Sequence, residues 1–366
     1  MSTKTGKLVA AGATLLMGAL ALTACGGGGT KAGNGTSSAT GEAAETSQAE
    51  GATGDHLFIY LTNDPIGVNK FLESGKWGIE SAAAKFGGEG KTYEGSTDEA
   101  NRANLEAAIG EQPDVIVLIT YSYTDLAAEA AAANPDQQFV LVDDCPADPP
   151  ANLHCAVFRE MEPSYLLGYE AGLLTKTNKV GSVAALDIPF LHRYTDSFAL
   201  GAAAANPDVT DKQLFIGGSN PFGDPAKGKE QALAMEATGA DQVFAGASGS
   251  NGGIFEAAAE KGFTSYGVDV NQCPMAPGAV GDGTIKDVEV VVVNEITKIL
   301  DGTAAAGSVT SYGLSEGGMD IVSLSSQGPD SGCTVMEHPE VVEQLKTIKQ
   351  QIIDGEITIP DPTAVS

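Results

Sequence analysis

From residue 56 onward the chain alternates short apolar runs with Ala-rich segments of helical spacing. The runs are "HLFIYL" (56–61), "VIVLI" (115–119), "FVLV" (139–142), "VGSVAAL" (180–186), "QLFIGG" (213–218), "QVFAG" (242–246) and "SYGV" (265–268). Continuous runs of this length predict parallel strands buried on both faces. "TDLAAEAAAANP" and "DPAKGKEQALAMEATG" read as helices between them. Near 286–301 a helix places Val288, Val291, Val292, Ile296, Ile299 and Leu300 on one stripe. Strands alternating with helices predict doubly wound α/β sheets. Roughly 310 residues is long for one such sheet, so two lobes are expected.

A weak internal echo supports two lobes. Residues 113–144 and 240–269 both read strand, polar loop, helix, strand, acid. Val115 to Asp143 spans 28 residues and Val243 to Asp269 spans 26. In open α/β sheets ligands bind at the carboxyl ends of strands. Two lobes facing one another across those ends would form a ligand clamp.

The start of the chain follows another pattern. Lys4 and Lys7 precede an uncharged run, Leu8 to Leu22, whose 15 residues suit a signal peptide better than a membrane span of about 20. Leu22-Thr23-Ala24-Cys25 resembles a bacterial lipobox, which implies a signal peptide over 1–24 and a lipid thioether on Cys25. Residues 25–54 are mostly Gly, Ala, Ser, Thr and Glu and read as a disordered, lipid-anchored linker with a reach of roughly 30 Å. The expected place is therefore the cell membrane, facing outward, with the folded body in 55–366. A Gly/Ala-rich, lysine-poor body favours the outer face of a Gram-positive plasma membrane.

Charge and cysteine content narrow the choice. The net charge is −28, or −30 without the two lysines of 1–24, and such a surface repels nucleic acid. Cys145, Cys155, Cys273 and Cys333 predict two disulfides in an oxidising compartment. Three pairings are possible. One closes the short loop "CPADPPANLHC" through Cys145 and Cys155 and leaves Cys273 with Cys333 as a long-range staple. No CxxC occurs and the four histidines are scattered, so no metal site is expected.

Catalytic motifs are lacking: no HExxH, GxSxG or GxxxxGK[ST] occurs, and no GxGxxG follows a strand. The sequence reads as a binding protein, not an enzyme. Polar and aromatic residues stand at predicted strand ends instead. Asn63 and Asp64 follow the first strand, Tyr121 follows "VIVLIT", and Asp143 and Asp269 end their runs. Phe222 follows "IGGSNP", and Lys286 opens a helix after "GDGTI". Aromatic faces can stack on a planar ligand, and a carboxylate can accept from vicinal hydroxyls.

Four longer segments carry a resemblance: "VFREMEPSYLLGYEAGLLTKTNKVGSVAALDIP" (157–189), "GDPAKGKEQALAMEATGADQVF" (223–244), "YGVDVNQ" (266–272) and "YGLSEGG" (312–318). In that order they resemble the basic membrane protein (Bmp) lipoproteins, a family that includes purine-nucleoside receptors of ABC importers. The resemblance covers about residues 57 to 318. It implies a type I periplasmic-binding-protein fold, two doubly wound lobes with a ligand cleft between them and three hinge crossings. The lobes are expected at about 55–158 plus 286–308 and about 159–285 plus 309–330, with a C-terminal helix over 339–355. It also implies a solute, a permease and an ATPase as partners, and no cofactor.

Residue by residue, Phe222 matches a base-stacking aromatic, and Asp269 and Lys286 match positions that hold the ribose. Asp143 matches an acid ending the fourth segment, and Tyr121 stands where the family has Phe. Ser248 and Gly249 fall in its glycine-rich loop. Asn63, Asp64, Asn69 and Phe71 fall in its first loop, which reads "NDPIGVNKF" here and resembles "DDxSFN" only loosely. "SSQGPDSGC" (325–333) reads as an insertion. The function so implied is capture of a nucleoside, purine favoured, by lobe closure. The alternatives are another solute such as a flavin or sugar, or a sensor or surface protein uncoupled from transport.

Overall fold

A computed structural model describes residues 54–67 and 69–363. The expected signal peptide, Cys25 and nearly all of the 25–54 linker lie outside the described residues.

The chain begins β1 (His56–Thr62), α1 (Lys70–Phe86), β2 (Gly88–Glu94), α2 (Asp98–Gly110), β3 (Val115–Ile119), α3 (Thr124–Ala133), β4 (Gln138–Val142) and β5 (Leu153–Phe158). It continues as α4 (Met161–Leu174), β6 (Lys179–Ala184), α5 (Pro189–Ala205), β7 (Thr210–Phe215), α6 (Pro225–Glu236), β8 (Gln242–Gly246), α7 (Asn251–Lys261), β9 (Thr264–Gly267) and β10 (Val280–Lys286). The last elements are α8 (Val288–Leu300), β11 (Val309–Tyr312), β12 (Met319–Ile321) and α9 (Pro339–Ile353).

Among the described residues these strands form two six-stranded sheets, ordered β11-β5-β4-β3-β1-β2 and β12-β10-β9-β8-β6-β7. Neighbouring strands are parallel, except that β12 runs antiparallel to β10. The first five strands of each sheet share one order, 2-1-3-4-5, which reverses direction between the first and third strands. The echo between 113–144 and 240–269 falls on equivalent units, β3-α3-β4 and β8-α7-β9.

The apolar runs of the inner strands are continuous because those strands are buried on both faces. The edge strand β7, read as the apolar run 213–218, instead spans Thr210–Phe215 and is exposed or half-buried throughout. Phe58, Tyr60, Val115, Val117 and Val140 pack on one side of the first sheet, and Ile59, Leu61, Ile116, Leu118 and Leu141 on the other. The second lobe has its own core around Phe198, Phe244 and Tyr266. The stripe on α8 buries Val288, Val291, Val292 and Ile296.

Several expectations need correction. β2, "GEGKTYE", is an exposed, polar edge strand with no apolar run to reveal it. β10, "VGDGTIK", is buried at every position but reads as a loop because of its two glycines and an acid. Lys286 therefore ends a strand and opens no helix; Asp287 caps α8, its side chain accepting from Val290 N at 3.1 Å. β11 pairs with β5, so residues 309–312 belong to the first lobe and not the second. The chain thus crosses between the sheets three times, after β5, β10 and β11. Disulfides join Cys145 to Cys155 and Cys273 to Cys333. No described helix is long and apolar enough to cross a membrane.

Candidate functional site

The carboxyl ends of the two sheets face a common cleft. Its walls carry Asn63 and Asp64 after β1, Asn69 and Phe71 at the start of α1, Tyr121 after β3 and Asp143 after β4. Across from them stand Phe222, Ser248, Asp269 and Lys286. Of the residues expected at the site, Gly249 alone is not on the wall: the short turn Ser248–Ser250 presents its first residue to the cleft.

Lys286 is the centre of the charge arrangement. It is 3% exposed, and its Nζ donates to Asp143 Oδ1 at 2.6 Å and Glu160 Oε1 at 2.9 Å. Two rings from each lobe surround the ammonium. Phe71 and Phe158 lie 5.4 and 4.7 Å away, and Phe190 and Tyr194 lie 5.2 and 5.6 Å away. Ring faces at that range attract a cation. Burial alone would lower the Lys286 pKa, but Asp143 and Glu160, with Tyr194 and Asp269 beyond them, outweigh it and hold the ammonium charged.

The acids are pushed the other way. Burial lifts Asp143 to about 6 against the pull of Lys286, with Glu160 repelling it further. Burial likewise lifts Asp269 to about 6, again opposed by Lys286. Both are poised near neutrality, while Lys286 is fully charged.

Each lobe also locks its side of the cleft. Asn69 caps α1, its Oδ1 accepting from Phe71 N at 3.1 Å, and it also accepts from Ser248 Oγ of the other lobe at 3.3 Å. Asn63 accepts from Thr120 Oγ1 at 3.1 Å and donates to Asp64 Oδ2 at 2.9 Å. At the crossings, Arg159 N donates to Tyr312 O at 2.9 Å, and its guanidinium pairs with Glu162 and Glu316.

Sequence reasoning missed Glu160, Phe190, Leu191, Tyr194, Thr120 and Ser122. Thr120 and Ser122 flank Tyr121 at a strand end, so the strand-end rule could have found them. Glu160 gives no local signal. It is fully buried beside the first crossing and shared between Lys286 and Arg193 Nη1, the latter at 3.5 Å.

A cleft lined by aromatic faces and carboxylates suits an uncharged, planar or hydroxylated solute. Its one lining cation, Lys286, is already engaged by two acids, so the described cleft has no free positive charge for a phosphate. Among the described residues no group of three or more His, Cys, Asp or Glu side chains is placed to hold a metal ion.

Known proteins share this architecture. The crystal structure of an ABC transporter solute-binding protein from Aeropyrum pernix superposes with a TM-score of 0.72 at 24% identity, covering 84% of this chain and 94% of that one. A solute-binding protein from Conexibacter woesei gives 0.66 at 19% identity, covering 84% and 99%. The fold is thus the type I periplasmic-binding-protein fold. Among curated proteins, the "ABC transporter nucleoside-binding protein BmpA" of Lactococcus lactis is 30% identical over 342 residues, 86% of this chain and 92% of its own. The "Basic membrane protein A" of Borreliella burgdorferi is 30% identical over 295 residues, 79% and 83%. The family described as Bmp, ABC transporter substrate-binding protein PnrA-like, matches residues 59–363. The chain belongs to the Bmp family of ABC transporter substrate-binding proteins.

Proposed function

We propose that this protein is a lipid-anchored, extracytoplasmic receptor that captures nucleosides, purine nucleosides favoured, for an ABC importer. Cys25 would be the anchor, and closure of two lobes about three crossings the switch. The observation that carries the reading is the pairing of aromatic faces with acids from both lobes. Phe222 lines the cleft from one lobe and Phe71 and Tyr121 from the other, while Asp269 and Asp143 stand where hydroxyls of a sugar could donate. The nucleoside-binding relative supports the choice of ligand.

Lys286 acts here through the acids more than on the solute. With Asp143 and Glu160 already bound to it, it fixes where Asp143 points.

The test is titration of refolded, ligand-stripped protein with adenosine, guanosine, inosine and uridine by calorimetry. Asp269→Ala should weaken purine-nucleoside binding by about 100-fold, the loss of two hydrogen bonds to a charged acceptor. Phe222→Ala should weaken it by about tenfold, the loss of one stacking face. No heat with any nucleoside would sink the ligand assignment. Affinity should also fall with acidity. Asp143 and Asp269 titrate near 6, so each proton taken up below that pH costs up to about tenfold per unit. Binding unchanged between pH 7.5 and 5 would remove ionised acids from the solute contact.

A second reading, capture of a flavin or sugar by the same cleft, is favoured by the departure of the 63–71 loop from the family pattern. Heat with riboflavin or a monosaccharide and none with nucleosides would select it.

A further inference from the structure

Among the described residues, six non-glycine residues have a positive φ, and four of them line the cleft: Thr120 (84°), Asp143 (85°), Ser248 (46°) and Asp269 (71°). They fall in matched pairs. Thr120 and Ser248 follow β3 and β8, and Asp143 and Asp269 follow β4 and β9, the equivalent strands of the two sheets. A non-glycine residue held there is strained, and it persists only where its surroundings over-determine it. At Asp269 the strain is explicit: Val270 N bonds back to Val268 O at 2.8 Å, a three-residue turn centred on the acid.

A disulfide follows each acid. Asp143 stands two residues before Cys145, which is bonded to Cys155 on the neighbouring strand β5. Asp143 N donates to Ala156 O at 2.8 Å, the residue next to that second cysteine. Asp269 stands four residues before Cys273, which is bonded to Cys333 at the end of segment 325–333. Asn271 knits the same two segments, accepting from Cys273 N at 3.0 Å and donating to Ser331 O at 3.1 Å. From the core side, Gln272 Oε1 accepts from Val268 N at 3.1 Å and from Asn251 Nδ2 at 3.0 Å.

We propose that the two disulfides are equivalent positioning devices, one per lobe, that hold Asp143 and Asp269 in the strained conformations aiming their carboxylates into the cleft. The proposal rests on the reading of those acids as solute contacts. General stability is a poorer account of the arrangement. The bridges close loops of very different span, 10 and 60 residues in sequence, and the shorter restricts the unfolded chain less. What they share is their place after a strained acid at an equivalent strand end. Segment 325–333 is then a strap whose task is to reach Cys273.

The test uses the full chain with Cys145→Ser/Cys155→Ser or with Cys273→Ser/Cys333→Ser. Hydrogen exchange without ligand comes first, because it does not depend on the nature of the solute. Exchange should quicken about tenfold in 142–146 for the first pair and in 268–273 for the second, each confined to its own loop. Purine-nucleoside affinity should then fall by about tenfold in both variants, although the longer loop loses more unfolding stability. Asn271→Ala keeps the disulfide and should quicken exchange in 268–273 more mildly, so it replaces the second pair if that variant does not fold. Unchanged exchange in both loops would overturn the proposal. So would unchanged affinity in folded variants, or affinity losses that follow the loss of unfolding stability instead of being alike. If the intact protein binds no nucleoside, the ligand reading fails, and the exchange result still decides the positioning role.

Discussion

Lys286→Met should abolish solute capture and lower the unfolding free energy by about 3–5 kcal/mol near pH 8, the usual cost of leaving buried partners uncompensated. Among the described residues the ammonium is the only positive group within hydrogen-bonding distance of Asp143, and it holds one oxygen of the fully buried Glu160. Arg193 stands at 3.5 Å from the other oxygen and is itself drawn outward by Asp361 at 3.1 Å. Methionine fills the ring cage but removes the charge that makes the acids tolerable.

The pH dependence separates this account from simple misfit. Asp143 and Asp269 already titrate near 6 with Lys286 present, well above an unfolded aspartate. A raised folded pKa means the folded state holds more protons, so stability is lost as pH rises toward that pKa. Without Lys286 the acids rise further and this loss extends above pH 6. The deficit against wild type should therefore be largest near pH 8 and shrink toward pH 5. Urea unfolding at both values decides it, and an equal deficit at both would mean that packing, not charge, is what Lys286 supplies.

Glu170→Gln should do the opposite and stabilise the protein. Glu170 lies on α4, fully buried, and among the described residues no N–H or hydroxyl donates to either of its oxygens. Its neighbour Asp282 on β10 accepts from Gly283 N at 2.8 Å and Ser323 N at 3.0 Å through Oδ1. Among the described residues no N–H or hydroxyl of another group donates to Asp282 Oδ2, which is left to accept from Glu170. Burial, with the charge and hydrogen bonding of Asp282 added, drives the Glu170 pKa well above the usual carboxylate range. Burial lifts Asp282 to about 6, while Ser323 and the Gly283 amide pull it down. Glu170 thus keeps a proton at neutral pH and donates it to Asp282.

The sign follows from the same linkage. A folded pKa raised above the unfolded value gives stability that is complete below about pH 4.3 and is lost as pH rises through the folded pKa. Wild type should lose up to about 1.4 kcal/mol per pH unit from this group over that window. Glutamine donates an N–H to the same acceptor at every pH, so the variant should show a flatter profile. It should also gain about 2 kcal/mol at pH 8. Parallel stability profiles for the two proteins between pH 5 and 8.5 would refute a protonated Glu170. An infrared band of a protonated carboxyl, present in wild type and lost in the variant, would support it independently.

The parts of this protein that sequence makes plain are those with a local cause. A strand buried on both faces must be apolar throughout, so β1, β3, β4 and β8 announce themselves. Asp143 and Asp269 were legible because carboxyl ends of parallel strands gather at a cleft, and the rule needs only the strand. β2 stayed hidden because an exposed edge needs no apolar run, and β10 because buried glycines look like turn residues until a neighbouring strand is seen to press on them. Gly281, for example, has no room for a side chain beside Thr264 and Tyr266.

What tertiary structure alone decided is the company each charge keeps. Lys286 meets Glu160 and Asp143 across 126 and 143 residues of chain, and Glu170 meets Asp282 inside a core. No periodicity records such a meeting, because it depends on how two lobes close and on which helix face turns inward. The sequence by itself determined the family, the two sheets and most of the cleft wall, since each rests on local pattern or ordered motifs. Which lysine is already spoken for, which acid keeps its proton, and which loop each disulfide restrains are set by burial and by distance in space.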